Sequence, residues 1–285
     1  MGRNRRNTKV GVGARLGQHF LTGLWAAHRL AEAVGVRPGE TILEIGPGKG
    51  ALTRELIATG ARVVAVEKDP ALVAGLRETF WDELALGRLE LIEKDIRDFR
   101  PESCGLKAES YVLAANIPYY ITGEIIRQFL ETEVQPRAMA LLIQKEVADR
   151  IVARPAGGVA GKGKESILSL SVKAYGVPKI IVKVSRGNFS PSPSVDSAIL
   201  LVGDISKKFF TLNNVEGFGD LDEKKFFKVV RAGFASKRKF LSSNLAVQFG
   251  KDAVLRAFEV CGMSPKVRAE DVPLGTWKKL AKSLL

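Results

Sequence analysis

The sequence predicts an α/β fold with a seven-stranded, mostly parallel sheet, followed by a small C-terminal all-helical domain. From residue 41 to about residue 203, short apolar runs alternate with amphipathic segments of helical period. This pattern is typical of a parallel sheet covered on both faces. Beyond about residue 222 only helical periodicity remains. The predicted parts are a basic flexible arm (1–17), an α/β domain (18–204) and a helical domain (205–285).

The strands follow from their apolar runs, and the helices from the segments between them. The predicted strands are TILEIG, RVVAVEKD, RLELIEKD, YVLAANIP, RAMALLIQ, KIIVKVSRG and SAILLVG. Their nearly continuous Val, Ile, Leu and Ala are typical of strands buried on both faces. The predicted helices are ALTRELIATG, PALVAGLRETFWDEL, TGEIIRQFLE, KEVADRIVAR and ILSLSVKAYG. Gly60 is placed to end the first helix, and Pro70 to begin the second.

The remaining segments are loops and C-terminal helices. The Gly- and Lys-rich stretch PAGGVAGKGKES predicts a loop, and two prolines exclude a continuous helix in NFSPSPSVD. Residues 203–222 have weak periodicity and predict a linker. We expect helices in EKKFFKVVRAGFASKRKFLSSNL, which has a dense basic face, in KDAVLRAFEVCG and in PLGTWKKLAKSLL.

The net charge of the chain indicates which kinds of partner it binds. The sequence has 44 basic and 31 acidic residues, a formal charge of +13, which favours phosphate backbones or acidic membrane surfaces as partners. No apolar run approaches the length of a membrane span, and the basic start lacks the apolar region of a secretory signal. We therefore expect a cytoplasmic protein without a membrane partner. In the arm, Arg3, Arg5, Arg6 and Lys9 would add non-specific attraction to RNA.

The sequence lacks the motifs of several common kinds of site, namely disulfide frameworks, metal sites and one class of hydrolase. The two cysteines, Cys104 and Cys261, lie far apart and indicate no disulfide framework. His19 and His28 are the only histidines, and neither CxxC nor HExxH occurs, so we expect no metal site. The GxSxG signature of one hydrolase class is also missing.

A glycine pattern follows the first predicted strand, in EIGPGKG. Gly46, Gly48 and Gly50 allow a tight turn and a close backbone approach to a ligand. Glu67 ends the next strand, 21 positions after Gly46, where a carboxylate can accept both hydroxyls of a ribose. Dinucleotide-binding enzymes use the same arrangement, although their spacing is GxGxxG rather than GxGxG. The pattern therefore predicts a nucleoside-containing ligand without identifying it.

Polar residues also end the third and fourth strands. Asp95 follows the third strand, where its carboxylate could accept a hydrogen bond from an adenine amino group. The segment NIPY, residues 116–119, ends the fourth. Because open α/β sheets bind ligands at the carboxyl edge of their strands, we expect these features to share one cleft.

The NIPY segment offers what methylation of an exocyclic amine on a base requires. The amino nitrogen is a poor nucleophile because its lone pair is delocalised into the ring, and acceptors on its hydrogens favour the pyramidal, attacking form. Asn116 provides a side-chain carbonyl, and Ile117 or Pro118 a rigid backbone carbonyl. Tyr119 provides a ring on which a base can stack. A sulfonium methyl donor then needs only in-line placement.

Seven segments together resemble the KsgA-type small-subunit (16S-type) ribosomal RNA adenine N6,N6-dimethyltransferase family, within the class I methyltransferases that use S-adenosyl-L-methionine (S-adenosylmethionine). They are LGQHFL, LEIGPGKGALT, VVAVEKD, KDIRDF, AANIPYYIT, NFSPSPSVDSAIL and VVRAGFASKRKFLSSNL, and they follow the family's order from residue 16 to about residue 245.

The resemblance implies a Rossmann-like class I methyltransferase fold and a role in ribosome biogenesis. The implied reaction transfers methyl groups from S-adenosylmethionine to N6 of two adjacent adenosines near the 3′ end of small-subunit ribosomal RNA. The implied substrate is a partly assembled ribosomal particle. We expect the protein to act as a monomer.

The resemblance also implies roles for individual residues on the donor side. His19 and the backbone of Leu21 would contact the methyl donor. Gly46 would lie against the methionine part, Glu67 would hold the ribose and Asp95 the adenine. The remaining predicted donor contacts are Gln18, Gly48, Lys68, Ile96 and Asn116.

On the acceptor side, the resemblance implies that Asn116 also accepts a hydrogen bond from the target amine. Tyr119 and Phe189 would sandwich the flipped adenine, with Pro118 aiming a carbonyl at its amine. Two departures from the family stand out: His19 replaces a frequent Asn, and KESILSLSV lacks the usual aromatic-Gly pair before LSV. The first departure concerns the contact with the methyl donor, and the second concerns substrate docking near residues 155–165.

Lys237, Arg238 and Lys239 are consecutive in the basic segment KKFFKVVRAGFASKRKF. A charge-rich helix is often only a solvated face. On a chain this basic, we expect these three residues to contact rRNA phosphates.

Three other functions are compatible with parts of the sequence. An Erm-type large-subunit rRNA adenine methyltransferase would share the donor site, although NFSPSPSVDSAIL and FASKRKFLSSNL favour the small-subunit family. A non-enzymatic RNA-binding assembly factor could use the same scaffold, although an intact NIPY argues against it. A nicotinamide oxidoreductase is opposed by the glycine spacing.

Overall fold

The computed structural model describes residues 19–153, 163–211 and 221–285. The predicted arm and Gln18 lie outside these residues. So do residues 154–162 of the Gly- and Lys-rich loop and residues 212–220 of the predicted linker.

The described residues form nine strands and twelve α-helices. The strands are β1 (Phe20–Leu21), β2 (Thr41–Ile45), β3 (Arg62–Glu67), β4 (Leu89–Glu93), β5 (Tyr111–Asn116), β6 (Ala138–Gln144), β7 (Val177–Val184), β8 (Phe189–Ser190) and β9 (Ser197–Gly203). The helices are α1 (Leu24–Val34), α2 (Ala51–Ala58), α3 (Pro70–Thr79), α4 (Trp81–Ala85), α5 (Thr122–Glu131), α6 (Lys145–Val152), α7 (Ile167–Tyr175), α8 (Lys208–Thr211), α9 (Glu223–Gly233), α10 (Leu241–Phe249), α11 (Lys251–Val260) and α12 (Leu274–Leu284).

Seven strands form one sheet in the order β4-β3-β2-β5-β6-β9-β7. Strands β2 to β6 run parallel, and β9 is antiparallel to both of its neighbours. The predicted mostly parallel, seven-stranded sheet is therefore confirmed. The chain runs outward from β2 to β4 and then returns to β5 on the other side of β2. This reversal creates a crevice at the carboxyl ends of β2 and β5, where sheets of this kind bind ligands.

Alternate strand residues point to opposite faces of the sheet, and each face carries an apolar core. Ile42 of β2 belongs to the face covered by α1, α2 and α3, with Leu30 and Leu56 among its helix residues. Leu43, the next residue of β2, belongs to the face covered by α5, α6 and α7. The two cores hold the carboxyl ends of the parallel strands level with one another.

The predicted helix PALVAGLRETFWDEL is wrong in one respect, because it is split at Phe80. Helix α3 ends at Thr79 and α4 begins at Trp81, with Phe80 at φ −116° and ψ 33° between them. The Phe80 ring is buried and packs against Gly50. Helical periodicity carried no signal of this contact, which is distant in sequence.

The short strands β1 and β8 were not predicted. Phe20 pairs with Ser190, and Leu21 with Phe189, in a two-stranded antiparallel sheet. The backbone N–H groups of Thr22 and Gly23 donate to the Asn188 carbonyl and extend this attachment. Two residues are too few to show an alternating pattern. The attachment places the start of the described chain beside the carboxyl edge of the main sheet.

The predicted basic helix over EKKFFKVVRAGFASKRKFLSSNL is two helices, α9 and α10, separated by residues 234–240. The Asn244 side chain donates to the backbone carbonyls of Gly233 (2.7 Å) and Ser236 (3.0 Å), which compensates carbonyls left open at the end of α9. Lys237, Arg238 and Lys239 are therefore exposed in a turn and do not lie on a helix face.

The C-terminal helices share an apolar core with the sheet. Phe226, Phe258 and Trp277 are fully buried and belong to the same cluster as Leu43. The Tyr175 hydroxyl of α7 also donates to the Glu223 carboxylate of α9. The division into domains at residues 204 and 205 stays a prediction, since the core is continuous across it.

Replacing Gly50 by Ala tests its close contact with Phe80. Gly50 and Gly60 have φ of +80° and +82°, so either substitution costs about 1–2 kcal/mol for the left-handed backbone. A Cβ at Gly50 would lie 2.5 Å from Phe80 Cε2, whereas a Cβ at Gly60 meets nothing within 4 Å. We expect Gly50→Ala to lower the free energy of unfolding by a further ~1–3 kcal/mol relative to Gly60→Ala in urea denaturation. Equal losses would contradict the packing argument.

Candidate active site

A cleft opens at the carboxyl edge of the sheet, where the strand order reverses. Four consecutive strands of the parallel part each contribute a predicted residue to its lining. Gly46 follows β2, Glu67 ends β3, Asp95 follows β4 and Asn116 ends β5. The parallel pairing therefore brings together four residues that are spread over 71 positions of the sequence.

Most predicted site residues line this cleft. They are His19, Gly46, Gly48, Glu67, Lys68, Asp95, Ile96, Asn116, Pro118 and Tyr119. Leu21 and Phe189 do not line it, since they pair across β1 and β8 and are buried in the core. The sandwich of the flipped adenine by Tyr119 and Phe189 stays a prediction. Gln18 lies outside the described residues.

The glycine loop adopts a backbone that other residues rarely adopt. Gly46 and Gly48 have φ of +64° and +58°. The Gly46 N–H donates to the Val66 carbonyl (2.9 Å), which joins the loop to β3. A Cβ at Gly46 would meet nothing within 4 Å, so open space lies directly beside its backbone. The loop therefore offers a cradle in which a ligand can approach the main chain.

The Glu67 carboxylate is buried and held by three backbone donors. Its Oε1 accepts from the N–H groups of Lys68 (2.9 Å) and Asp69 (3.0 Å), and its Oε2 accepts from Gly48 (3.2 Å). These donors compensate the burial of the charge and fix the plane of the carboxylate. They also couple the glycine loop to the end of β3.

Asp95 is bound by its neighbour Arg97. The Arg97 guanidinium donates from Nε to Oδ1 (3.0 Å) and from Nη2 to Oδ2 (2.7 Å), and the Arg97 backbone N–H donates to Oδ1 (3.0 Å). The Arg97 side chain, opposed in part by burial, lowers the pKa of Asp95 to about 2. Because each carboxylate oxygen can accept more than one hydrogen bond, Asp95 retains capacity for a ligand donor.

Asn116 has a defined amide orientation. Its Nδ2 donates to the backbone carbonyl of His19 (3.0 Å). A backbone carbonyl can only accept, so the amide nitrogen must lie on this side. Asn116 Oδ1 then has no protein donor within the described part of the chain. The residue thus presents an unused acceptor in the cleft.

Tyr119 and His19 form an aromatic wall of the cleft. The Tyr119 hydroxyl and the Ser197 hydroxyl are 2.9 Å apart, and the His19 Nδ1 donates to the Pro191 carbonyl (2.8 Å). The two rings are 5.6 Å apart between centroids and inclined by 36°. Burial raises the pKa of Tyr119, opposed by the Ser197 hydrogen bond. Both rings are therefore anchored by partners outside the NIPY segment.

Glu44 is a residue of this region that the sequence analysis did not evaluate. It is fully buried in β2, two positions before Gly46, and neither carboxylate oxygen has a hydrogen-bond partner among the described residues. Burial, opposed in part by the Thr53 hydroxyl and assisted by the charge of Glu67, raises its pKa to about 8. The Thr53 hydroxyl lies outside hydrogen-bonding geometry, so this contact is weak. An acidic residue inside an otherwise apolar parallel strand is the sequence signal that could have revealed it.

The basic residues of the C-terminal region lie elsewhere. Lys237, Arg238 and Lys239 are exposed in the turn between α9 and α10 and do not line the cleft. The geometry neither supports nor opposes their predicted contact with RNA, because exposed lysines and arginines are free to bind any phosphate that reaches them.

Glu44 makes the stability of the folded protein depend on pH. The unfolded chain ionises this residue near its ordinary pKa of 4.5, whereas the folded protein keeps it protonated up to about pH 8. The free energy of unfolding should therefore fall as pH rises through this window, by on the order of 4 kcal/mol from this residue. We expect the Glu44→Gln protein not to show this fall. Urea denaturation of the wild-type and variant proteins from pH 4 to pH 9 measures the free energy of unfolding of each. If the difference in that free energy between the two proteins does not change with pH, the prediction is contradicted.

A family profile described as "Ribosomal RNA adenine dimethylase" matches residues 12–285 of the chain. Two curated relatives carry the name "Ribosomal RNA small subunit methyltransferase A". The protein from Dehalococcoides mccartyi (strain CBDB1) is 39% identical over 267 residues, which cover 93% of this chain and 86% of the relative. The protein from Moorella thermoacetica is 34% identical over 274 residues, which cover 94% and 91%.

Solved structures agree with this family and with the fold. The 23S rRNA methyltransferase ErmE is 26% identical, with a TM-score of 0.69 over 93% of this chain and 99% of that one. A dimethyladenosine transferase from Plasmodium falciparum is 22% identical, with a TM-score of 0.73 over 92% and 96%, and bears on the fold alone. The predicted Rossmann-like methyltransferase fold is confirmed. With the glycine loop and the Asn-Ile-Pro-Tyr segment in one cleft, the chain belongs to the ribosomal RNA adenine dimethylase family.

Proposed function

We propose that this protein dimethylates N6 of two adjacent adenosines near the 3′ end of small-subunit ribosomal RNA, with S-adenosylmethionine as methyl donor. The observation that carries the proposal is the free Oδ1 of Asn116, oriented by the His19 carbonyl in the cleft that also holds Gly46, Glu67 and Asp95. The names of the relatives at 39% and 34% identity support the small subunit as the source of the substrate.

The residues of the cleft fit the proposed donor. S-adenosylmethionine carries a ribose, an adenine and two cationic groups, and when bound it supplies a methyl group made electrophilic by its sulfonium. Glu67 would bind the ribose hydroxyls, and Asp95 the adenine amine. The open backbone at Gly46 would receive the methionine part.

On the acceptor side, the chain has to orient one amine and need not remove its proton beforehand. Asn116 Oδ1 and the carbonyls flanking Pro118 would accept from the N6 hydrogens, which favours the pyramidal nitrogen. The new N–C bond forms as the donor's S–C bond breaks, and the alkylated nitrogen then loses its proton to water. The residues therefore act by placement and by hydrogen bonding.

Tyr119 would stack against the flipped adenine. Its second predicted partner, Phe189, is buried and does not line the cleft. The His19 ring, 5.6 Å from Tyr119, is the aromatic group already at the cleft. We expect Tyr119 to provide the main stacking surface, and Phe189 to remain a packing residue until a nucleotide enters.

The other functions weighed on the sequence have less support. ErmE, named for 23S rRNA, is 26% identical, below the values for the relatives named for the small subunit. Macrolide resistance upon expression would reverse this choice. A non-enzymatic assembly factor would not need Asn116 to leave its Oδ1 free.

The partner we propose is ribosomal RNA in a partly assembled small-subunit particle, bound by one copy of the protein. Its negative phosphates complement the formal charge of +13 and the exposed Lys237, Arg238 and Lys239. In the described residues, no helix is long and apolar enough to cross a membrane, and no cluster of three or more potential metal ligands occurs.

The proposed reaction is tested in cells that lack their own small-subunit dimethyltransferase. We expect the wild-type gene to restore dimethyladenosine in small-subunit rRNA, as read by mass spectrometry. With purified enzyme and unmodified particles, Asn116→Ala should lower kcat by ~100-fold or more, because the amine loses its main acceptor. Absence of dimethyladenosine with the wild-type gene would refute the assignment.

Glu67→Gln is the matched variant on the donor side. We expect it to weaken donor affinity by about 10-fold, because the ribose loses a charged acceptor, and its rate should recover at saturating donor. Asn116→Ala should not recover. The same response of both variants to donor concentration would contradict the division into donor and acceptor residues.

The basic turn makes a prediction about salt. If Lys237, Arg238 and Lys239 contact phosphates, replacing all three by Ala should reduce the slope of log affinity for rRNA against log salt by about 2. The control replaces Arg77, Arg88 and Lys107, which are also exposed, with the same change in net charge. Binding measured between about 50 and 300 mM salt distinguishes the two. Equal slopes for both triple variants would show that only net charge matters.

A further inference from the structure

Tyr120 is an aromatic residue at the cleft that the donor and acceptor assignments leave unused. From the sequence alone we expect Tyr120, which has no assigned role, to be a packing residue. Instead it is 63% exposed and lines the same cleft as Tyr119. Among the described residues, the Tyr120 hydroxyl has no hydrogen-bond partner. Its ring has no aromatic contact there either. Packing in the apolar core therefore does not explain the presence of a tyrosine at this position.

The backbone at Tyr120 forms a hydrogen-bonded turn. Residues 119–121 form a 3₁₀ turn directly before α5, with the Ile121 N–H donating to the Pro118 carbonyl (3.2 Å). Successive residues of such a turn project about a third of a turn apart. Tyr119 is held toward Ser197 by its hydroxyl. From this spacing we infer that the Tyr120 ring leaves the turn in a different direction from Tyr119 and contacts a different base.

We propose that Tyr120 is a stacking platform for the nucleotide next to the target adenine. This inference rests on the proposed function. When an adenine leaves its stack to enter the cleft, the base beside it loses a stacking partner. An exposed ring at the mouth of the cleft replaces that partner at little entropic cost, because the turn already fixes its backbone. Since the two proposed target adenosines are adjacent, one would stack on Tyr120 while the other is methylated.

The charge around Tyr120 fits a nucleotide as occupant. Lys68 and Lys94 line the same cleft and are exposed, whereas the exposed Arg97 is already paired with Asp95. The two lysine ammonium groups can neutralise the phosphates on either side of a stacked base. An apolar peptide would gain nothing from these charges. The ring and the surrounding cations together therefore favour a nucleic-acid strand.

The test compares Tyr120→Ala and Tyr120→Phe with wild type on reconstituted small-subunit particles. We expect Tyr120→Ala to raise KM for particles by about 10-fold or more, since base stacking on one ring contributes that much. Tyr120→Phe keeps the ring and should stay within about 2-fold of wild type. The matched control is Trp81→Ala, which removes a 72% exposed aromatic side chain that does not line the cleft. It should leave KM unchanged.

A second set of particles separates stacking from a structural effect. In these particles one of the two target adenosines is changed to uridine, which stacks weakly, and methylation of the remaining adenosine is measured. Wild type should lose several-fold in KM on these particles, and Tyr120→Ala should lose little more than it has already lost. A similar further loss in Tyr120→Ala would overturn the inference. So would a loss of donor affinity in calorimetry with S-adenosylmethionine, because that would place Tyr120 on the donor side.

Failure of the inference and failure of the proposed function are distinguishable. If wild type produces no dimethyladenosine in any small-subunit particle, the proposed function is wrong. If wild type is active and Tyr120→Ala has the same KM on every particle, only the role of Tyr120 is wrong.

Discussion

The parallel pairing of β2 with both β3 and β5 is the constraint on which the site depends. Because neighbouring parallel strands end at the same edge, a short polar segment after each strand meets the others in space. Gly46, Glu67 and Asn116 are separated in sequence by whole helices, yet they line one cleft. The apolar cores on the two faces hold this register, since a shift of one residue would exchange the buried faces of every strand. The cleft therefore exists because the parallel strands are aligned.

The electrostatics at this edge of the sheet depend on which hydrogen-bond donors each carboxyl group receives. Glu67 receives three backbone N–H donors, and Asp95 receives the Arg97 guanidinium, which lowers the pKa of Asp95. Glu44 receives no donor among the described residues, and its burial favours the protonated form. The three acidic side chains thus differ in their hydrogen-bond partners. Glu67 and Asp95 line the cleft, where a positively charged ligand can reach them, whereas Glu44 is buried and does not line it.

The acceptor side depends on attachments that are distant in sequence. Asn116 is oriented by the carbonyl of His19, Tyr119 by Ser197, and His19 by the carbonyl of Pro191. The β1 and β8 pair brings His19 and Pro191 to the edge of the main sheet, whereas Ser197 begins β9 of that sheet. The NIPY segment supplies the chemical groups, but their directions come from the segments on either side. The hydrogen-bonded turn after Pro118 then presents Tyr119 and Tyr120 in different directions.

The sequence by itself determined the strand and helix order of the α/β part, the cleft residues that end its strands, and the family. These follow from local periodicity and from short motifs, which need no knowledge of distant contacts. Only the tertiary structure decided that Phe80 interrupts a helix, that Lys237 lies in a turn and that Phe189 is buried. The same holds for Glu44, whose neighbours rather than its own motif set its protonation. The physical reason is that burial, hydrogen-bond satisfaction and side-chain direction depend on groups that meet only when the chain has folded.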